Sequence, residues 1–401
     1  MNDPVRPAAE ALKPWLVETR RAIHMRPELG YEEHETSRRV AAALAEWGLE
    51  VRTGVAKTGV VGLLRTGRPG PTLAIRADMD ALPIEEANDV PYKSRTPGQM
   101  HACGHDAHTA MLLGAARLLA QNPQWLEGCG GNVKFLFQPA EEGRAGGRLM
   151  VEEGVLEGPR VDMAIAAHVL PMLPAGMIGT RSGPVLAASD KFNIKVRGKG
   201  SHAASPHLSR DPIVAAAHVV TALQGIVSRN VEPFDAGVIS VTRLEAGTAY
   251  NIIPDEVTLM GTMRSHREAT RELMKRRMEE TVRGVAQAFG VEGEFEFVPG
   301  YPPLVNDARA TALIERAARA VLGEARMVEM PLSMGAEDFA YVARQRPAAM
   351  FRVGVRNEAR GIVHSLHSSR FDLDEDALPA GAAVFVQAAR EFLRDPATFG
   401  V

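Results

Sequence analysis

The chain has 401 residues, more than one hydrophobic core usually organises, so two domains are expected. Apolar residues make up 45% and charged residues 24%, and a formal net charge of -3 provides no basic excess to hold phosphates, which excludes nucleic acid as a partner. Only Cys103 and Cys129 are available as thiols, which excludes a disulfide framework and leaves each free for metal or nucleophile chemistry. The first residues carry no apolar run ahead of a small-residue cleavage site, and no stretch approaches the ~18 apolar residues of a membrane span. A cytoplasmic protein with no membrane partner is expected.

Residues 8–26 carry Leu12, Trp15, Leu16 and Ile23 at helical spacing and stop before Pro27; residues 35–47 read as a second helix, ended by Gly48. Residues 59–64 and 71–76 read as short strands. A helix is expected over 107–121, with Met111, Leu112, Ala115 and Leu119 inward, then a strand over 133–137 ended by Pro139. Residues 163–167 are apolar throughout, as strands covered on both faces are. Strands alternating with helices predict an α/β sheet with helices on both sides.

From about Ser189 the pattern changes. Residues 191–196 alternate polar and apolar, a helix follows over 213–228, and strands are expected at 236–243 and 252–263. A charged helix over 267–289 precedes a last strand at 294–298. The order βαββαβ is that of a ferredoxin-like module. Beyond Pro302 the α/β pattern resumes, with helices at 308–322 and 375–394 and a strand at 349–353. The chain therefore reads as one large α/β domain, residues 1–187 and 300–401, interrupted by a small module over 188–299.

Donor residues gather where strands of the large domain are expected to end, the place where open α/β sheets collect ligands. Asp78-Met79-Asp80 puts two carboxylates there, although a solvated turn would look the same. His101-Ala102-Cys103-Gly104-His105-Asp106-Ala107-His108 enters a helix, and a thiol and an imidazole two apart on a glycine-loosened loop can face one ion. Glu141 and Glu142 follow a strand and Pro139. Adjacent side chains point different ways, so one can bind metal while its neighbour works as acid or base at a pKa raised by the like charge. His168 closes the run at 163–167, and His364-Ser365-Leu366-His367 lies near the C-terminus.

Cys103, His105, Glu142, His168 and His367 make five donors, too many for one tetrahedral ion with an open position. They suit two ions that share a bridge and activate a water between them. His101 and His108 are given no role. Gly198-Lys199-Gly200-Ser201-His202-Ala203 loosely matches a dinucleotide loop, but the next helix starts only after Pro212, so no helix N-terminus receives a pyrophosphate. Asn251 and Arg264 bracket a strand, where Arg264 can fork onto a substrate carboxylate or simply face solvent.

Residues 101–108, 137–143, 198–206 and Met334-Gly335-Ala336-Glu337-Asp338-Phe339 resemble the M20 metallopeptidase superfamily. The nearer likeness is to its amidohydrolase branch, which includes hippurate hydrolases, N-acyl-amino-acid amidohydrolases and auxin-conjugate hydrolases. It runs in order from residues 21–24 to 366–369. The resemblance implies a large mixed-sheet metallohydrolase domain with an inserted ferredoxin-like domain that serves as lid and dimerisation surface. It implies two divalent ions (zinc, manganese, cobalt or nickel) on Cys103, His105, Glu142, His168 and His367, with Glu141 as general base. His202 would reach the neighbouring subunit's site in a homodimer, or in a tetramer of such dimers, to stabilise the oxyanion, and Asn251, Arg264 and Gly335 would face substrate.

One departure matters. Asp78 stands where the wider superfamily has a metal-binding histidine, so it is not expected to inherit the ligand role, while Asp80 keeps the task of orienting a ligand imidazole. Cys103 stands where peptidase relatives have a bridging carboxylate; sulfur favours zinc or a late transition ion, though the other donors accept manganese. The implied reaction cleaves the amide bond of a small N-acyl amino acid to a carboxylic acid and a free amino acid, with dipeptide hydrolysis or N-deacetylation as the alternative. Two other readings stay open on the residues. Cys103 could be a nucleophile with His105 as its base, needing no metal, or the chain could bind metal without turnover, which leaves Glu141 without a task.

Overall fold

The apolar run at residues 163–167 becomes part of a central strand of a sheet. In the computed structural model, which describes residues 4–401, the chain begins with α1 (Val5–Ala11), α2 (Lys13–His24) and α3 (His34–Glu46). Next come β1 (Glu50–Val55), β2 (Gly59–Arg65), β3 (Thr72–Asp78), α4 (His105–Gln121) and β4 (Asn132–Gln138). Two short helices, α5 (Glu141–Arg144) and α6 (Gly146–Glu152), lead to β5 (Met163–Pro174), β6 (Ile178–Thr180) and β7 (Gly183–Leu186). The middle of the chain holds β8 (Ala188–Arg197), β9 (Ser201–His202), α7 (Pro212–Asn230), β10 (Gly237–Ala246), β11 (Ile252–Ile253), β12 (Glu256–Ser265), α8 (Glu268–Ala288) and β13 (Glu292–Tyr301). The last part holds β14 (Leu304–Asn306), α9 (Ala308–Leu322), β15 (Met327–Glu329), α10 (Ala340–Ala343), β16 (Ala348–Arg356) and α11 (Leu378–Arg394).

These elements form two compact units. One comprises the chain up to Gly183 together with Val305–Pro331 and Asp338–Val401; the other comprises Pro184–Leu304 and Leu332–Glu337. In the first, eight strands lie in the order β1-β2-β4-β3-β5-β16-β6-β15. β3 runs parallel to β4 and β5, and β5 parallel to β16, while β1, β2 and β6 pair antiparallel with β2, β4 and β16, so the sheet is mixed. Every residue of β3 is buried, as its place between two covered faces requires. Helices α4 and α11 are buried almost all round, whereas α3 shows one apolar face, Thr36, Val40 and Leu44.

The helix expected over 8–26 is two helices, because Pro14 has no N–H to extend the earlier hydrogen-bond ladder and instead sits in the first turn of α2. The strand expected over 252–263 is likewise split, with Pro254 between β11 and β12.

The second unit has a four-stranded antiparallel sheet in the order β10-β12-β8-β13, with α7 and α8 packed on it. This is the ferredoxin-like arrangement. Alternate residues of β8, including Phe192, Ile194 and Val196, are buried against Leu223, Ile226, Met274 and Met278. Asp211 caps α7 by accepting the Ile213 N–H, and Pro212 occupies the first turn. By length and composition α7 is the one described helix that could cross a membrane; its buried face, Ala215, Ala216, Val219, Leu223 and Ile226, belongs to the core of this unit.

Candidate metal centre

β3 and β4 end together, with Asp78 paired to Gln138, so the loops carrying Asp80 and Glu141-Glu142 leave the sheet side by side. His168 does not close its strand as expected. β5 continues to Pro174 because β16 still pairs with it, Arg352 opposite His168, whereas the pairing with β3 stops at Ala166. Cys103 and His105 flank Gly104, whose φ is +83° and whose added Cβ would lie 2.4 Å from Val169 Cγ2. Only glycine tolerates both the left-handed backbone and that close approach. His367 also has a positive φ, 63°, and its N–H donates to Ala102 O at 2.8 Å, tying the C-terminal loop to the thiol loop.

These turns bring the five donors together in the first unit. One atom each from Cys103, His105 and His168 lies within 4.8 Å of the others, and the same holds for Cys103, Glu142 and His367. Cys103 Sγ belongs to both groups. It stands 3.5 Å from His168 Nε2, and Glu142 Oε1 lies 3.2 Å from His367 Nε2 and 3.9 Å from His105 Nε2. Donors on one ion at bond lengths of about 2.0–2.3 Å are separated by distances of this order. His105 Nε2 and Glu142 Oε1 are buried and make no hydrogen bond of normal geometry, a costly arrangement that a divalent cation relieves. The set of thiol, imidazole and carboxylate therefore fits two divalent ions.

Asp80 serves both groups, with Oδ1 3.2 Å from His105 Nδ1 and Oδ2 accepting the Glu142 N–H at 2.9 Å. Asp78, His105 and His108 also come close, with each oxygen of Asp78 already engaged by another side chain. Its Oδ1 lies 2.6 Å from His108 Nδ1 and its Oδ2 accepts from Arg76 Nη1 at 2.8 Å. Burial opposes ionisation of Asp78, yet the charges of His105 and Arg76 hold its carboxyl well below the usual range.

Glu141 is buried, and its Oε1 accepts the Asp338 N–H at 3.3 Å. The Asp338 carboxylate is held in turn by Arg76 Nη2, Gln138 Nε2 and the Gly147 N–H at 2.7–2.9 Å. Burial pushes the Cys103 thiol up to about 12, so a thiolate at neutral pH needs a cation beside it. Contact with Glu142 raises the pKa of His367. Sequence reasoning missed Arg76, His108 and Asp338; the acidic and basic residue types were visible, but the contacts that join them were not. Neither ring nitrogen of His101 has a hydrogen-bond partner among the described residues.

The remaining expected site residues lie in the second unit. His202 is exposed on β9, paired with Ile252, and its Nδ1 accepts the Ala204 N–H at 3.0 Å. Asn251 precedes β11 and accepts the Ala203 N–H through its carbonyl. Arg264, on β12, donates through Nη1 to Thr262 Oγ1 and to Met263 O, and burial lowers its pKa. Gly335 accepts the Ala187 N–H at 2.8 Å.

A mixed α/β sheet that gathers thiol, imidazole and carboxylate groups at spacings fit for divalent ions, with the buried Glu141 carboxylate beside them, is the arrangement of a metal-dependent hydrolase. Residues 74–391 match the family model described as Peptidase family M20/M25/M40, and the chain belongs to that family. It is 43% identical over 383 residues to the IAA-amino acid hydrolase ILR1-like 4 of Arabidopsis thaliana, covering 94% of this chain and 86% of that one. It is 38% identical over 382 residues to the N-acetyl-L-cysteine deacetylase of Bacillus subtilis, covering 95% and 89%. The solved structure of the Bacillus subtilis YXEP protein, described as a dinuclear metal binding peptidase from the M20 family, superposes with a TM-score of 0.84 at 36% identity, covering 96% and 99%. The protein is thus an enzyme that hydrolyses amide bonds with divalent metal.

Proposed function

We propose that this enzyme cleaves N-acyl amino acids, with Cys103, His105, Glu142, His168 and His367 holding two divalent ions and Glu141 acting as general base. The observation that carries this reading is that one thiol, Cys103, belongs to both donor groups while the buried Glu141 stands beside them. The names of the two relatives above, one an amino acid conjugate hydrolase and the other a deacetylase, support an acylated amino acid as substrate. Ions held by these donors supply Lewis acidity and make a water a better nucleophile at neutral pH. The sulfur donor favours zinc, with manganese, cobalt and nickel as the other acceptable ions.

Glu141 takes a proton from the attacking water and returns it to the leaving amine. Asp80 engages Nδ1 of His105 and so leaves Nε2 as the donor atom. Because His202 Nδ1 accepts the Ala204 N–H, its neutral ring carries the proton on Nε2, an N–H suited to the acyl oxyanion. Arg264, with Nη1 held, presents the rest of its fork to the substrate carboxylate, beside contacts from Asn251 and Gly335. The domain carrying His202 serves as lid and as the surface of a homodimer.

The test uses Glu141→Gln. Two ions per chain should remain by elemental analysis, while turnover of hippurate or an N-acetyl amino acid falls by about 10²–10⁴-fold. Full turnover in the metal-loaded variant would overturn the assignment, and full activity after prolonged chelation would favour the thiol as nucleophile.

A further inference from the structure

His108 lies one turn after His105 on α4, is buried, and has both ring nitrogens engaged. Its Nε2 accepts the backbone N–H of Val169 at 2.9 Å. A peptide N–H can only donate, so Nε2 is unprotonated and the ring proton sits on Nδ1, 2.6 Å from Asp78 Oδ1. Asp78 is fixed from behind by Arg76 on its other oxygen, 2.8 Å away. On the far side, the carbonyl of Val169 accepts Nδ1–H of His168 at 2.7 Å. His168 therefore carries its proton on Nδ1 and turns the Nε2 lone pair toward Cys103 Sγ, 3.5 Å away. The two imidazoles meet edge to face, with centroids 4.6 Å apart.

We propose that His108 is a positioning residue that sets the aim and tautomer of His168 through the backbone of Val169, one link in a line from Arg76 through Asp78. The inference rests on the reading of His168 as a metal donor. His108 pins the strand one residue beyond that donor, so the Val169 carbonyl stays where the His168 ring can reach it. Partners that orient ligand imidazoles are worth about 10–100-fold in metal affinity.

The experiment measures zinc binding by chelator competition on the full chain. His108→Phe keeps the ring and removes both hydrogen bonds, whereas His108→Gln keeps one donor and one acceptor. The Phe variant should bind one zinc normally and the other about 10–100-fold more weakly, with affinity restored in the Gln variant. A residue that only fills space gives the reverse pattern, which would overturn the proposal, as would wild-type affinity or equal loss in both variants. If the Phe variant does not fold, the Gln variant decides: two zinc ions at wild-type affinity support the proposal and a weakened one overturns it. His168→Ala separates the two readings. Two ions retained in that variant remove His168 as a donor, whereas loss of one there beside normal binding in His108→Phe removes only the role of His108.

Discussion

Asp80 and His105 are joined through Nδ1 of the imidazole, 3.2 Å from Oδ1 of the carboxylate, which leaves Nε2 directed at the other donors. The second oxygen of Asp80 holds the Glu142 N–H, so one side chain orients a donor in each group. Asp80→Ala should therefore weaken both ions, by about 10–100-fold each, with the far-ultraviolet circular dichroism unchanged. Asp80→Asn should fall between, because its amide offers one good acceptor where the carboxylate offers two. Zinc titration against a chromogenic chelator measures both.

Cys103 Sγ is the atom common to both donor groups. Cys103→Ala should lose affinity for both ions, whereas His168→Ala and His367→Ala should each lose one. Metal equivalents after gel filtration give the count. Two ions held tightly by the Cys103→Ala variant would show that the thiolate is not shared.

Much of the first unit is visible in the sequence because β3, β4 and the first half of β5 are covered on both faces and so are written mostly in apolar residues, broken by a few buried polar ones such as Arg76, Lys134 and His168. The edge strands are not. β1 is largely exposed, and β15, like its inner neighbour β6, has three residues, held by backbone pairing that leaves no period in the side chains. The proposed site residues could be picked out because Cys103 and His105, or Glu141 and Glu142, are close in sequence and of telling types. The supports were not. Arg76 meets Asp338 across 262 residues of chain, and His108 meets a backbone N–H, which any residue at position 169 except proline supplies. His168, a proposed donor, is expected at a strand end, since nothing in residues 163–168 says that β16 continues the pairing beyond them.

Gly104 is the residue on which the thiol loop turns. Alanine there would bring its Cβ to 2.4 Å from Val169 Cγ2 at a φ of +83°. Left-handed backbone costs a non-glycine residue about 1–2 kcal/mol and overpacking about 1–3 kcal/mol, so Gly104→Ala should destabilise the metal-free protein by about 2–5 kcal/mol. Urea unfolding of the metal-free variant tests this. Because Val169 also donates its N–H to His108 and accepts from His168 through its carbonyl, the displaced valine should weaken zinc binding as well. Stability equal to that of the parent protein would show that the loop has another way to turn.

Glu33 gives a pH dependence at a residue that is not itself one of the proposed metal donors. Its side chain is buried, accepting from Thr58 Oγ1 at 2.5 Å and from the Ala140 N–H at 2.8 Å. Burial, joined by the negative charge of Asp80, pushes its pKa up from 4.5 to about 7, with the hydrogen bonds from Thr58 and Ala140 opposing the rise. The folded protein thus holds this proton more tightly than the unfolded chain does. The favourable contribution is complete below pH 4.5, fades as the pH rises and is gone above about 7. Glu33→Gln mimics the protonated acid, accepting from Ala140 and donating to Thr58. It should match the parent protein near pH 4 and exceed it by up to about 3 kcal/mol at pH 8, one pKa unit being worth about 1.4 kcal/mol. Denaturant melts of both proteins at a series of pH values test the slope, and a stability difference that stays flat from pH 4 to 8 would show that Glu33 titrates at its ordinary value.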